Sequence, residues 1–213
     1  MSFASKVKGR LGNVVTGCLA AIYNGLEKFL QERAKISYNV SVEALKEASK
    51  KGPHLASFRA GLLVTRAVVA LGRGRPSHAE SILKAIQEAN IPVEVKTEAN
   101  GTKPMYLRVK ARVARNAKEE DPRSLYSTSV MALNAASKES PYLGSFCAGF
   151  WSELAIVCLK VEKQLEAEYI LKALEESSVP NEVKAEMRDR KIAFLRAEQC
   201  YAEPTDPDIL QLE

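Results

Sequence analysis

Apolar residues along this chain recur at helical spacing almost from end to end. Val14, Cys18, Ala21, Ile22 and Leu26 follow a three-to-four interval, and Phe29 and Leu30 carry it to about Ala34. Ser41 suits the N-cap of a helix running to about Lys51, closed by Gly52-Pro53. A long apolar helix follows over His54 to Leu71 and ends at "GRGRP". Ser77 suits the N-cap of "HAESILKAIQEAN", a short piece reaches Glu98, and the helical pattern resumes in "MYLRVKARVARNA" after Asn100-Gly101. Further helices are expected over Ser129–Lys138, Tyr142–Val161, Leu165–Ser177 and Asn181–Ala202. No segment sustains the period-two alternation of a strand, and the single Asn-Gly lies between helical segments. The pattern predicts an all-α protein.

That pattern is written twice. Residues 38–98, moved forward by 88 positions without a gap, fall on residues 126–186 with 29 identities in 61 positions. A duplication of this size is the mark of a repeat architecture, in which neighbouring helical hairpins bury one another's apolar faces. The expected organisation is a basic N-terminal segment and helix (1–37), a first unit (38–118), a second unit (119–202) and a short acidic tail (203–213). Each unit holds about four helices. The expected arrangement is a right-handed α-solenoid of stacked helical hairpins, with helix 14–34 covering its open end.

In the second unit, Trp151, Leu154, Ala155 and Cys158 run down one helix, and Ala167, Leu171 and Leu174 follow on the next, closed by Pro180. Residues 151–180 in this order resemble the tetratricopeptide repeat, whose small residues let helices approach while large ones fill the gap beside them. The first unit departs from it, with Leu63, Arg66 and Ala70 where Trp151, Leu154 and Cys158 stand. The period here is 88, against the 34 of that family. What the resemblance implies is a protein-binding or scaffolding role without catalysis or cofactor, the usual partner being a peptide or helix held in a concave groove.

Charge adds an asymmetry that the repeat conceals. Residues 1–118 hold 21 Lys and Arg against 8 Asp and Glu, and residues 119–213 hold 10 against 18. The halves thus carry +13 and −8, within a net charge of +5. Such polarity bears on partners and association, not on fold. In the densest basic stretch Arg108, Arg112 and Arg115 share one helix face, and Lys103 and Lys110 widen it. With Arg73 and Arg75 of "GRGRP", these are the candidate partner-binding residues. An acidic protein surface, an anionic membrane or RNA phosphates would suit them, and a solvated helix face is the plain alternative. "GRGRP" itself reads as a turn, Gly supplying a positive φ and Pro starting the next helix. The aromatics do not interleave with basic residues as a base-stacking platform requires.

The sequence therefore points to a structural or adaptor subunit that binds other proteins within a larger assembly. An organellar RNA-binding helical-repeat protein is the alternative, and a homo-oligomer pairing basic with acidic halves is a third reading. No phosphate-binding glycine loop, Gly-x-Ser-x-Gly or His-Glu-x-x-His occurs, so neither an enzyme nor a cofactor is expected. Cys18, Cys147, Cys158 and Cys200 form no Cys-x-x-Cys pair, and with only His54 and His78 they do not make a zinc site. Inert, partly buried thiols in a reducing compartment are expected. Residues 1–26 are basic and free of acid, as in a segment targeting a mitochondrion or plastid; a capping helix in a cytoplasmic protein is the other reading. Charge is expected to interrupt every apolar stretch before membrane-spanning length.

Overall fold

The computed structural model describes residues 28–101 and 122–202, which form eight helices and no strand among the described residues. In chain order these are α1 (28–51), α2 (Pro53–Gly72), α3 (Pro76–Glu88), α4 (Val93–Asn100), α5 (Pro122–Glu139), α6 (Pro141–Lys160), α7 (Gln164–Glu176) and α8 (Asn181–Ala202). The all-α class expected from the sequence is the class observed.

Proline sets several starts. Pro53, Pro76 and Pro141 each occupy the first turn of their helix, where a missing N–H costs nothing. The Ser140 hydroxyl accepts from the Tyr142 backbone N–H at 3.2 Å and donates to Glu94, tying α6 to α4. The turn at "GRGRP" forms as expected, with Gly74 at φ 67° and Pro76 opening α3. Glu162 holds the equivalent left-handed position, φ 61°, in the second half. Two expected caps fail: Ser77 lies inside α3, whose N-cap is Arg75 with no side-chain cap bond, and Ser41 caps nothing. Residues 34–41 contain neither Gly nor Pro, so α1 runs through them, and the Ser41 hydroxyl donates back to the Ser37 carbonyl at 2.8 Å.

Contacts repeat at the offset seen in the sequence. Tyr38 donates to Glu88 and Tyr126 to Glu176, and Lys84 and Lys172 sit over the two tyrosine rings. Ser57 bonds back to Pro53 and Ser145 to Pro141. Gln87 donates to the Lys96 carbonyl, and Lys184 to the Glu175 carbonyl, closing the same hairpin from opposite sides.

The most extensive packing joins α2 to α6, the equivalent long helices of the two halves. They lie side by side in the same direction: the His54 and Tyr142 rings meet near one end, Gly61 faces Phe146 and Phe150, and Arg66 reaches Glu153 near the other. The contact is reciprocal. A Cβ on Gly61 would fall 2.0 Å from the Phe146 carbonyl oxygen, and one on Gly149 would fall 2.0 Å from the Phe58 carbonyl oxygen. Phe58 is the counterpart of Phe146, as Gly61 is of Gly149. Glycine at both positions brings the backbones together, and each half then lends side chains to the other's core. Leu143 and Phe146 of α6 are buried among Leu45, Ala60, Val64, Ile82 and Val95. Phe58 and Leu62 of α2 are buried among Leu133, Ala155, Ile170, Leu174 and Val183. Fully burying one such phenylalanine stabilises the fold by about 2–3 kcal/mol.

A head-to-tail stack presents a different face of each unit to its neighbour. Between α2 and α6 the same face is used by both, as in a two-fold-related pair. Both helices are 20 residues long and apolar enough to cross a membrane by length and composition. The expected interruption by charge amounts only to Arg59 and Arg66 in α2 and to Glu153 and Lys160 in α6. In the fold they bury their apolar residues largely against each other and against α3, α5 and α7, as core helices do.

Candidate functional site

Equivalent contacts build the repeat, so the places where the halves differ mark what is particular to one of them. A groove lined by Tyr38, Val42, Leu45, Ser49, Lys50 and Glu88 lies between α1 and α3. Most of its lining recurs in the other half, as Tyr126, Val130, Leu133, Ser137, Lys138 and Glu176, while Lys46, Ala89 and Asn90 give way to Asn134, Ser177 and Ser178. That groove belongs to the common plan.

A second groove does not. It is enclosed by α1, α2 and α3, has a volume of about 360 Å³, and is lined by Arg33, Ile36, Ser37, Val40, Leu63, Arg66, His78 and Ile82. Ile36 and Val40, 62% and 58% exposed, leave a bare aliphatic wall beside two arginines. In the second half Leu125 stands for Ser37, Trp151 for Leu63, Leu154 for Arg66 and Glu166 for His78. Leu125, Trp151 and Leu154 pack against the second half's own core. Larger apolar side chains thus stand there where the first half has Ser37, Leu63 and Arg66. In the first half a small hydroxyl and a leucine leave the groove open, and positive charge surrounds it.

The Ser37 hydroxyl and His78 Nε2 lie 3.4 Å apart at the groove's centre. Burial, with Arg75 and Arg33 nearby, holds the His78 imidazole below its ordinary pKa. The imidazole is therefore neutral near pH 7, and an anion entering the groove would favour its protonation.

Below the groove runs an ionic lattice. Buried Glu153 accepts from Arg66 Nε at 3.0 Å and from Arg190 Nη2 at 2.5 Å, joining α2, α6 and α8. Arg59 pairs with Glu186 at 2.8 Å, with Lys51 at 3.9 Å on the same carboxylate. Burial lowers the Arg190 pKa, and Arg59 and Arg66 add to the fall while Glu153 opposes it. Arg190 Nε is buried without a hydrogen-bond partner. Of these ionic residues Arg66 lines the groove itself, while Arg59, Lys51 and Glu186 lie around a separate small cavity. Glu153 also fixes the Arg66 guanidinium at the groove's edge, with its outer side in solvent.

Of the basic residues singled out in the sequence, Arg73 and Arg75 are exposed in the α2–α3 turn, and Arg75 acts on His78 from there. Lys103, Arg108, Lys110, Arg112 and Arg115 lie outside the described residues. Arg33, Ser37 and Leu63 enter the site only through the fold. The charge changes at Arg66 and His78 were visible in the sequence comparison, but their convergence was not.

Among the described residues no group of three His, Cys, Asp or Glu could hold a metal ion. Burial pushes the Cys147 thiol up to about 12, with Glu98 adding to the rise and a bond with Trp151 opposing it. Burial and Glu166 likewise raise Cys158. Cys18 lies outside the described residues.

No family model, curated protein or solved structure matches the chain. The likeness of residues 151–180 to a tetratricopeptide repeat therefore rests on those residues alone. Ala155, Ala167 and Leu174 are fully buried between α6 and α7, with Trp151, Leu154, Cys158 and Leu171 packed around them.

Proposed function

We propose that this protein is a non-catalytic adaptor or structural subunit that holds another protein through its first half. One observation carries the reading: the first half has a groove lined by Arg33, Arg66 and His78, whereas the second half places Leu125, Trp151 and Leu154, packed against its own core, at the positions of Ser37, Leu63 and Arg66. Leaving aliphatic side chains and cations exposed in a concavity stabilises nothing in the isolated chain. The second half then serves as the rigid counterpart. It supports α2 through the glycine contact and fixes Arg66 through Glu153.

The finer architecture proposed is two related halves packed face to face through α2 and α6. The duplication supplies the pairs of equivalent residues, and the reciprocal contacts support the symmetry between them. Function then follows from the broken part of that symmetry.

The full-length protein used as bait in native lysate is expected to recover a protein partner in stoichiometric amount. The variant Leu63→Trp with Arg66→Leu, which copies the second half, is expected to lose it. Recovery of the same partner in the same amount by the variant would exclude the groove as the binding surface. If the bait recovers no stoichiometric protein, the adaptor reading fails.

A further inference from the structure

We infer that the α1–α2–α3 groove takes an amphipathic peptide segment of a partner, in which carboxylates flank aliphatic side chains. This rests on the adaptor reading and specifies the partner's chemistry.

The lining sets the requirement. The wall and floor are Ile36, Val40, Leu63 and Ile82, all aliphatic. A volume of about 360 Å³ accommodates a few aliphatic side chains and not a folded surface. Arg33 from α1 and Arg66 from α2 stand at the edges, Arg75 adds charge from the turn, and His78 with Ser37 lies between them. An occupant must therefore carry negative charge at its flanks and apolar groups at its centre.

Nucleic acid satisfies only half of this. Its phosphates would suit the arginines, but the groove's lining holds no Phe, Tyr or Trp, its single ring being the half-buried His78 imidazole, and its aliphatic wall gives a base little to stack on. Aliphatic walls reward the insertion of leucine-like side chains, and the arginines give charge-assisted bonds that carboxylates can accept in pairs. The acidic counterpart is excluded by the same comparison. In the second half Glu166, paired with Lys163, replaces His78 and Leu154 replaces Arg66, so an acidic segment meets there a carboxylate and lacks the arginine.

Selection from a random displayed peptide library tests this. The target is the full-length protein; the counter-target is a graft carrying Ser37→Leu, Leu63→Trp, Arg66→Leu and His78→Glu. Each grafted residue is the one the second half holds at the same place. Arg33→Glu, on the exposed side of α1, provides a variant outside the core, where Arg33 stacks over the exposed Phe29 ring. Circular dichroism and thermal unfolding check that both are folded. The selected peptides are expected to be rich in Asp and Glu around Leu, Ile or Val. Binding by fluorescence anisotropy should weaken about a hundredfold in the graft, the loss of two charge-assisted hydrogen bonds, and substantially in Arg33→Glu.

Graft-sensitive peptides without acidic bias would overturn the chemistry assigned here and leave the adaptor reading standing. A selection that returns no graft-sensitive peptide would overturn the groove as a peptide site. If oligouridylate binds the protein with the same graft sensitivity while no peptide does, both this inference and the adaptor reading fall.

Discussion

Gly61→Ala and Gly149→Ala are each expected to destabilise the protein by about 3 kcal/mol, at the upper end of the usual cost of overpacking. Each new methyl would stand 2.0 Å from a backbone carbonyl oxygen of the facing helix, an atom that cannot turn aside. The helices must separate, and with them Phe58 and Phe146, which are anchored in the opposite cores. In a chain of this size the loss corresponds to a fall of about 6–12 °C in Tm. The two costs should be similar, because the contacts are equivalent. The double variant should cost clearly less than the sum, since the first methyl already parts the backbones that the second would meet. Gly74→Ala is the control: no atom lies within 4 Å of a Cβ there, and only its left-handed backbone is strained, by about 1–2 kcal/mol. Thermal and denaturant unfolding of the four variants measures this. Additive losses at Gly61 and Gly149 would contradict a single shared contact.

Glu153→Gln is the second large effect. The carboxylate is buried between Arg66 and Arg190, and α8 is fastened to α2 and α6 through it. Its removal leaves Arg190 beside Arg59 and Arg66 without the charge that compensates them. Breaking a buried pair in this way costs about 3–5 kcal/mol; about 3 is expected here, because Arg66 is half in solvent and screened. Replacing both partners should recover most of the loss, since the charge no longer needs compensation. Glu153→Leu with Arg190→Met is thus expected to be more stable than Glu153→Gln alone. Thr65, which holds the Glu153 position in the first half, bonds only to backbone carbonyls, so the fold accepts an uncharged residue there. Denaturant midpoints for the unaltered protein and the two variants check the order.

Most of the helices were legible because their apolar positions recur at helical spacing and their ends carry Pro and Gly. The join at 34–41 was misread because Ser41 can either cap a helix or bond back within one, and sequence does not distinguish the two. Gly61 and Gly149, with Phe58 and Phe146, were visible as identities. Nothing local said that they face one another, since a stacked and a two-fold arrangement demand the same apolar pattern. The groove was harder still. Ser37 and Arg33 lie just before the aligned segment, and Leu63 opposite Trp151 looked like a departure from a repeat motif. Only when α1, α2 and α3 surround one space does the smaller residue become an opening and Arg66 its edge. The charge imbalance between halves pointed first to a basic stretch that lies outside the described residues.

The claim that the groove of the first half is the binding surface is tested most directly by hydrogen exchange. The full chain would be measured with and without a selected acidic peptide. Slowed exchange is predicted over residues 33–41 and 78–82, with 125–133 and 166–170 unchanged. Equal protection of both sets, or protection of the second set alone, would contradict it.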